Sequence, residues 1–306
     1  MIEVYQLTQR YGAFEAVRDL SFEVGAGQIV GFLGPNGAGK STTLRVISTQ
    51  LAPSAGSVRV GGHDVLDAPF QARSLLGYLP ERCPLYPEMA VVEHLEWIGR
   101  LHGLSRADYR SAAQREVQRC GLAEVAERGI SELSKGYRQR VGIGCALIHE
   151  PPVLVLDEPM SGLDPNQVLE IRALVRELGR ERTVLFSSHV LSEVEATCER
   201  AVVVHRGRIV ADEAISSLLQ RVSGGGLEVR SEDPRAPEVL GTLPDVDLEE
   251  LGPGRFGLEP TQAREDFGAE VFGCAAGAEL VLSELAPRRV TLEQVFARLT
   301  KEEDPS

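Results

Sequence analysis

The run Gly34-Pro35-Asn36-Gly37-Ala38-Gly39-Lys40-Ser41 constrains this chain more than any other segment. It fits GxxxxGK[ST] between an apolar stretch, Gln28 to Leu33, and a helix-compatible one, Thr42 to Ile47. A strand that turns through glycines into a helix belongs to an α/β architecture. The glycines let backbone N–H groups close around phosphate oxygens with no Cβ in the way, and the helix N-terminus adds partial positive charge. Lys40 is placed to reach the β- and γ-phosphates of a nucleotide and the Ser41 hydroxyl to ligate magnesium, so Gly34 through Thr42 are candidate cofactor-binding positions. The alternative is a chance glycine-rich turn. With only three lysines in the chain, Lys40, Lys135 and Lys301, such a match arises by chance roughly once in several hundred chains of this composition. Arginine supplies nearly all the other positive charge, so lysine at position 40 fits a site that takes a compact point charge.

From Met1 to about Ser223, β-rich runs alternate with helical stretches, which predicts a largely parallel sheet. Val153 to Leu156 is apolar at every position, as a strand covered on both faces is, and Thr183 to Ser188 reads as a second such strand. Between the Gln28 to Leu33 strand and these two, Val91 to His149 reads as a run of helices that includes Val91 to Leu101 and Arg106 to Cys120, predicting a helical subdomain at about 88–150. The stretch Ser223-Gly224-Gly225-Gly226 marks a flexible break, and the expected domains are 1–222 and 223–306. Beyond it, strand-like Leu227 to Arg230, helix-like Gln262 to Phe272, strand-like Leu280 to Leu285 and helix-like Leu292 to Leu299 predict a small α+β appendage.

The strand Val153 to Leu156 runs into Asp157-Glu158-Pro159, and ligands sit at the carboxyl ends of strands in open α/β sheets. Asp157 is the candidate to hold magnesium, directly or through water. Glu158 points to the other side of the chain and is the candidate general base for a water attacking the γ-phosphate. His189 follows Phe186-Ser187-Ser188, where it can sense or stabilise that phosphate. Taken alone, it also reads as a surface histidine capping the segment from Val190. His63, His94, His102, His149 and His205 have no comparable context and read as structural.

Composition narrows the partners. A net charge of -13 and a pI near 5.1 disfavour nucleic acid as the main partner, because phosphate neutralisation needs a basic face. Cys83, Cys120, Cys145, Cys198 and Cys274 lie far apart with no CxxC pair, which points to reduced thiols rather than zinc or disulfides. The start, Met1-Ile2-Glu3-Val4-Tyr5, does not have the pattern of a signal peptide. Apolar stretches such as Ala201 to Val204 fall far short of the roughly eighteen residues a membrane helix needs, so membrane contact is expected through a partner.

Leu133-Ser134-Lys135-Gly136-Tyr137-Arg138-Gln139-Arg140 resembles the signature motif of ABC ATPases, usually LSGGQ followed by a basic residue. Ser134 can cap a helix, so that its hydroxyl and the following N–H groups form an anion site; an ordinary N-cap is the alternative. Tyr11 matches the family's adenine-stacking aromatic, Ser161-Gly162-Leu163-Asp164 its D-loop and His189 its switch histidine, all in family order from Met1 to Arg221. The resemblance implies a phosphate-loop cassette that binds ATP and Mg2+ and pairs head to tail with a second copy or a related cassette. Each ATP would lie between Lys40 of one subunit and Ser134 and Gly136 of the other. It further implies ATP hydrolysis that drives a separate integral-membrane permease, with the cassette cytoplasmic and peripheral on the inner face of the cell membrane.

Glu81, in Gly77-Tyr78-Leu79-Pro80-Glu81, stands where many relatives have glutamine and adds a negative charge beside the expected magnesium. Lys135 and Tyr137 replace a glycine and the glutamine of LSGGQ, and Met160 replaces a common small residue. The combination LPE, LSKGY and SGLDPNQ resembles cassettes of ABC-2 type exporters, including the gliding-motility type, and Val290-Thr291-Leu292-Glu293-Gln294-Val295-Phe296 resembles their terminal helix. A soluble ABC ATPase acting on DNA or ribosomes is the competing expectation. Against it, Lys40 and Asp157 are too close in sequence for an intervening long coiled coil, and there is one cassette in the chain. A GTP switch would need NKxD, which the sequence lacks.

Overall fold

Largely alternating buried and exposed positions build the first strands, while Val30 to Leu33, ahead of the glycine loop, and Val153 to Asp157, which runs into the acid pair, are buried at every position. The computed structural model describes residues 1–223, 226–261, 264, 266–288 and 291–302. The chain forms two compact units, Met1–Ile215 and Ser216–Ser306. That division falls ahead of the expected 222/223 boundary, and Gly224 and Gly225 of the expected break lie outside the described residues.

The first unit begins with β1 (Ile2–Tyr11), β2 (Phe14–Val24) and β3 (Ile29–Leu33), which leads through the glycine loop into α1 (Lys40–Ile47). Next come β4 (Ala55–Val60), β5 (His63–Asp64), α2 (Pro69–Ser74) and β6 (Leu76–Leu79). Three helices follow, α3 (Val91–Leu101), α4 (Arg106–Arg119) and α5 (Lys135–Leu147). The unit continues with β7 (Val153–Asp157), α6 (Pro165–Leu178), β8 (Thr183–Ser188), α7 (Leu191–Glu195), β9 (Arg200–His205) and β10 (Arg208–Ala214), and α8 (Ile215–Ser223) starts at its end.

The strands of this unit form the expected largely parallel sheet and a second, antiparallel one. β6, β7, β8, β3 and β9 are parallel neighbours, with β10 antiparallel at the edge, in the order β10-β9-β3-β8-β7-β6. The early strands instead make an antiparallel sheet, β2-β1-β4-β5. The turn after β1 is the physical reason. Gly12, with φ 60°, reverses the chain within two residues, and a reversal that short can only join antiparallel neighbours. Ile2, Val4, Leu7, Leu20 and Phe22 of that sheet share one core with Val30 and Phe32 of β3 and with Leu44 and Ile47 of α1. The rings of Phe22 and Phe32 lie 5.4 Å apart, centre to centre. α7 packs on the opposite face, where a Cβ on Gly31 would collide with Val194.

Val153, Leu154, Val155 and Leu156 are fully buried, each contributing about 1.5–3 kcal/mol relative to exposure. They anchor the acid pair that follows them. Among the helices of the expected subdomain, Ser105 caps α4 by accepting the Asp108 N–H, and Gly99 of α3 allows the backbone to approach Tyr109 of α4. Asp164 caps α6 by accepting the Gln167 N–H at 3.0 Å, with Pro165 at the first helical position.

The second unit contains β11 (Leu227–Arg230), α9 (Ala236–Leu240), β12 (Val246–Gly252), β13 (Arg255–Pro260), α10 (Phe267–Gly277), β14 (Glu284–Pro287) and α11 (Leu292–Glu302). Its antiparallel sheet has the order β12-β13-β11-β14 over a core that includes Val229, Leu240, Phe256, Leu258, Phe267 and Val271. The strand expected at Leu280 to Leu285 begins only at Glu284. Leu280 is instead held at the end of α10, its N–H donating to Ala275 O at 2.8 Å after Glu279 turns to φ 54°. The expected helix Gln262 to Phe272 begins at Phe267; Gln262, like Val290 of the terminal motif, lies outside the described residues.

Candidate active site

The parallel register brings three strand ends together. Leu33 pairs with Ser188 and Asp157 with Ser187, so the glycine loop, the acid pair and His189 emerge at one edge of the sheet. Gly37 and Gly39 have φ of 82° and 104°, and a Cβ on Gly39 would come within 2.6 Å of Ala16 O. A side chain at Gly34 would collide with Val204 O. These are positions where only glycine allows the loop to close.

Lys40 is 5% exposed and heads α1. Its ammonium donates to Gly34 O at 2.7 Å and Pro35 O at 3.3 Å, and lies 3.3 Å from Glu158 Oε1. Pro35 and Gly34 thus orient the lysine through their carbonyls, while Ala38, 2% exposed, packs the loop onto the core. The Ser41 hydroxyl donates to Asp157 Oδ1 at 3.2 Å. Asp157 is 2% exposed, and burial pushes its carboxyl above the usual range against the hydrogen bonds from Ser187 and Ser41; Glu158 and Glu81 push it the same way as burial.

Glu158 has φ 51°, a left-handed conformation that costs a non-glycine residue on the order of 1–3 kcal/mol. Its N–H donates to Ser187 Oγ at 2.9 Å, and its carboxylate bridges Lys40 and His189, with Oε2 lying 2.6 Å from His189 Nδ1. Tyr11, Asn36, Gly37, Gly39, Lys40, Ser41, Thr42, Glu81, Glu158 and His189 line one open cleft of about 510 Å³.

Ser134 and Gly136 do not line that cleft. They border a separate one of about 640 Å³ with Tyr137, Arg140, Asp164 and Gln167. Ser134 caps α5, its Oγ accepting the Tyr137 N–H at 3.3 Å, and a Cβ on Gly136 would press on the Gln167 amide. Within one chain, the signature residues and the glycine loop therefore face different spaces.

Two contributors escape the motifs. Ser187 donates to Asp157 Oδ1 at 2.6 Å while accepting the Glu158 N–H, so a single hydroxyl fixes both members of the acid pair. Its place at the end of β8 was the available signal. Phe14, 61% exposed, joins Tyr11, 47% exposed, on the cleft wall, and this pair of exposed aromatics can stack on a base. Among the remaining histidines, His102 and His149 stack with ring centres 3.9 Å apart, and burial lowers both pKa values, His149 to about 4.

Phosphate, metal and attacking water can all be served at one edge of one sheet, which is the working arrangement of phosphate-loop nucleotide hydrolases. The model of one such family, described as ABC transporter, matches residues 17–161. The ABC transporter ATP-binding protein NatA of Bacillus subtilis is 38% identical over 208 residues, 67% of this chain and 85% of that protein. Daunorubicin resistance ATP-binding protein DrrA3 of Streptomyces coeruleorubidus is 34% identical, covering 95% of this chain and 93% of its own length. A solved structure of an ATP-binding subunit of an ABC transporter superposes with a TM-score of 0.65 at 32% identity, over 72% of this chain and 92% of that one. This chain belongs to the ABC transporter family as an ATP-binding subunit, and is an ATPase. No helix among the described residues is long and apolar enough to cross a membrane.

Proposed function

We propose that this subunit hydrolyses ATP at the Lys40 cleft as one half of a head-to-tail pair and powers the membrane permease of an exporter. The observation that carries the pairing is the separation of the Ser134 cleft from the Lys40 cleft, because both can serve one nucleotide only if a second chain supplies one of them. A dimeric cassette structure bound to ADP and Pi, 24% identical with a TM-score of 0.64, shares the fold. The exporter reading draws on the names of the relatives, which include a Nod factor export ATP-binding protein of Paraburkholderia xenovorans, 34% identical over 99% of this chain and 97% of its own length. In this reading the subunit is cytoplasmic and reaches the inner face of the membrane through the permease.

In this account Tyr11, with Phe14, stacks on adenine, and the glycine-loop N–H groups and Lys40 hold the phosphates. The donor set fits a magnesium ion. Ser41 and Asp157 offer hard oxygen ligands 3.2 Å apart, with the carboxylates of Glu158 and Glu81 near enough to raise the Asp157 pKa. When bound, magnesium supplies charge neutralisation on the β- and γ-phosphates. Lys40 exchanges its contact with Glu158 for phosphate, which frees Glu158 Oε1 to accept a proton from water. His189 keeps the other carboxylate oxygen oriented.

Glu81 lies on the cleft as an exposed carboxylate. Glu81→Gln removes one negative charge while keeping an oxygen ligand, so ATPase activity is expected to stay within about tenfold, roughly 1.4 kcal/mol of barrier. A steady-state phosphate-release assay checks this, and a larger loss would give Glu81 a catalytic task of its own. The transporter assignment is tested by affinity purification of the tagged full chain from detergent-solubilised membranes of its own cells. A multi-spanning membrane protein is expected to co-purify; recovery only of free chain in the soluble fraction would favour a mechanical ATPase of another class.

A further inference from the structure

The substitution of lysine for glycine in the signature motif has a structural counterpart. Lys135 is the first residue of α5, between Ser134 and Gly136, and a cation there opposes the helix dipole. Its side chain turns away from the helix, and the ammonium donates to Ser161 O at 2.6 Å. Gly162, at φ 66°, makes room, since a Cβ there would collide with the Lys135 ammonium. Ser161 lines the Lys40 cleft, and its N–H donates to Glu158 O at 3.1 Å. A few residues on, Asp164 caps α6 and lines the Ser134 cleft. The segment from Glu158 to Asp164 thus borders both clefts, and one ammonium ties its middle to the helix that carries Ser134.

We propose that Lys135 is a positioning residue that holds the Ser161 segment against Glu158 and so couples the Lys40 cleft of a subunit to its own Ser134 cleft. The proposal rests on the reading of Glu158 as general base. Lys135 is exposed and already engaged within its own chain, so the role runs through the backbone at Ser161 rather than through direct contact with nucleotide. Without the ammonium, the segment loses its charge-assisted hydrogen bond and samples arrangements in which Glu158 is misaligned. Chemistry suffers while nucleotide affinity does not.

The test compares Lys135→Met, which keeps the stem, with Lys135→Arg, which keeps a donor cation, in the full chain. Lys135→Met is expected to lower kcat roughly tenfold, about 1.4 kcal/mol, with affinity for a non-hydrolysable ATP analogue unchanged by calorimetry. Lys135→Arg is expected to recover most of the lost kcat. An unchanged kcat in Lys135→Met, or a loss of analogue affinity matching the loss of kcat, would overturn the proposal. A second readout separates action in the same chain from action across a pair. If Glu158→Gln pairs in ATP but Glu158→Gln with Lys135→Met does not, Lys135 touches the partner's nucleotide and the positioning role is wrong. Failure of Glu158→Gln itself to pair would count against the pairing, while the split between kcat and affinity would still decide the role of Lys135.

Discussion

Lys40→Ala is expected to weaken ATP binding by at least about a hundredfold, roughly 2.8 kcal/mol, since charge-assisted hydrogen bonds to the β- and γ-phosphates are lost together. The other lysine of the same unit, Lys135, does not substitute because it is engaged with Ser161. The substitution also leaves the buried Glu158 carboxylate without its cation and two loop carbonyls without a donor. Lys40→Arg separates the two effects. It restores the charge, but its planar fork does not fit a pocket shaped by the Gly34 and Pro35 carbonyls around a point charge, so tight binding is not expected to return. Calorimetric titration with a non-hydrolysable ATP analogue reads both variants, and an unchanged affinity for Lys40→Ala would remove the centre of the nucleotide assignment.

Glu158→Gln acts on the other half of the reaction. The amide can still sit near Lys40 and His189, so binding is expected to survive, but it cannot take a proton from water. Hydrolysis is expected to slow on the order of a hundredfold or more. A smaller loss in single-turnover phosphate release would mean that another group activates the water, and His189, 2.6 Å from the carboxylate, is the first to test.

How much of this was legible in the sequence depends on whether the determining contacts are local. The glycine loop and its helix are consecutive residues whose conformational needs are written in their types, and Gly37 and Gly39 adopt the left-handed backbone that such a loop requires. Asp157 and Glu158 were legible because the fully apolar strand before them could only be central. The early antiparallel sheet was not, since alternation in β1 and β2 reveals a half-buried strand without saying which sheet it joins. Nor was Ser187, a small polar residue in a buried strand whose partners arrive from β7. The Lys135 contact ends on a backbone carbonyl, and backbone acceptors leave no mark in a sequence. In the second unit, Leu280 and Leu282 read as strand by their apolar character, yet both pack into the unit's core ahead of the strand at Glu284.

The central claim is that one ATP is held jointly by the Lys40 cleft of one chain and the Ser134 cleft of another, and light scattering coupled to gel filtration of Glu158→Gln tests it most directly. The account predicts a shift from monomer to dimer in saturating ATP and magnesium, absent in ADP because the bridging γ-phosphate is gone. Adding Ser134→Arg, which fills the second cleft with a bulky side chain, is expected to abolish the shift. A Glu158→Gln chain that binds ATP yet stays monomeric, or a dimer indifferent to Ser134→Arg, would contradict it.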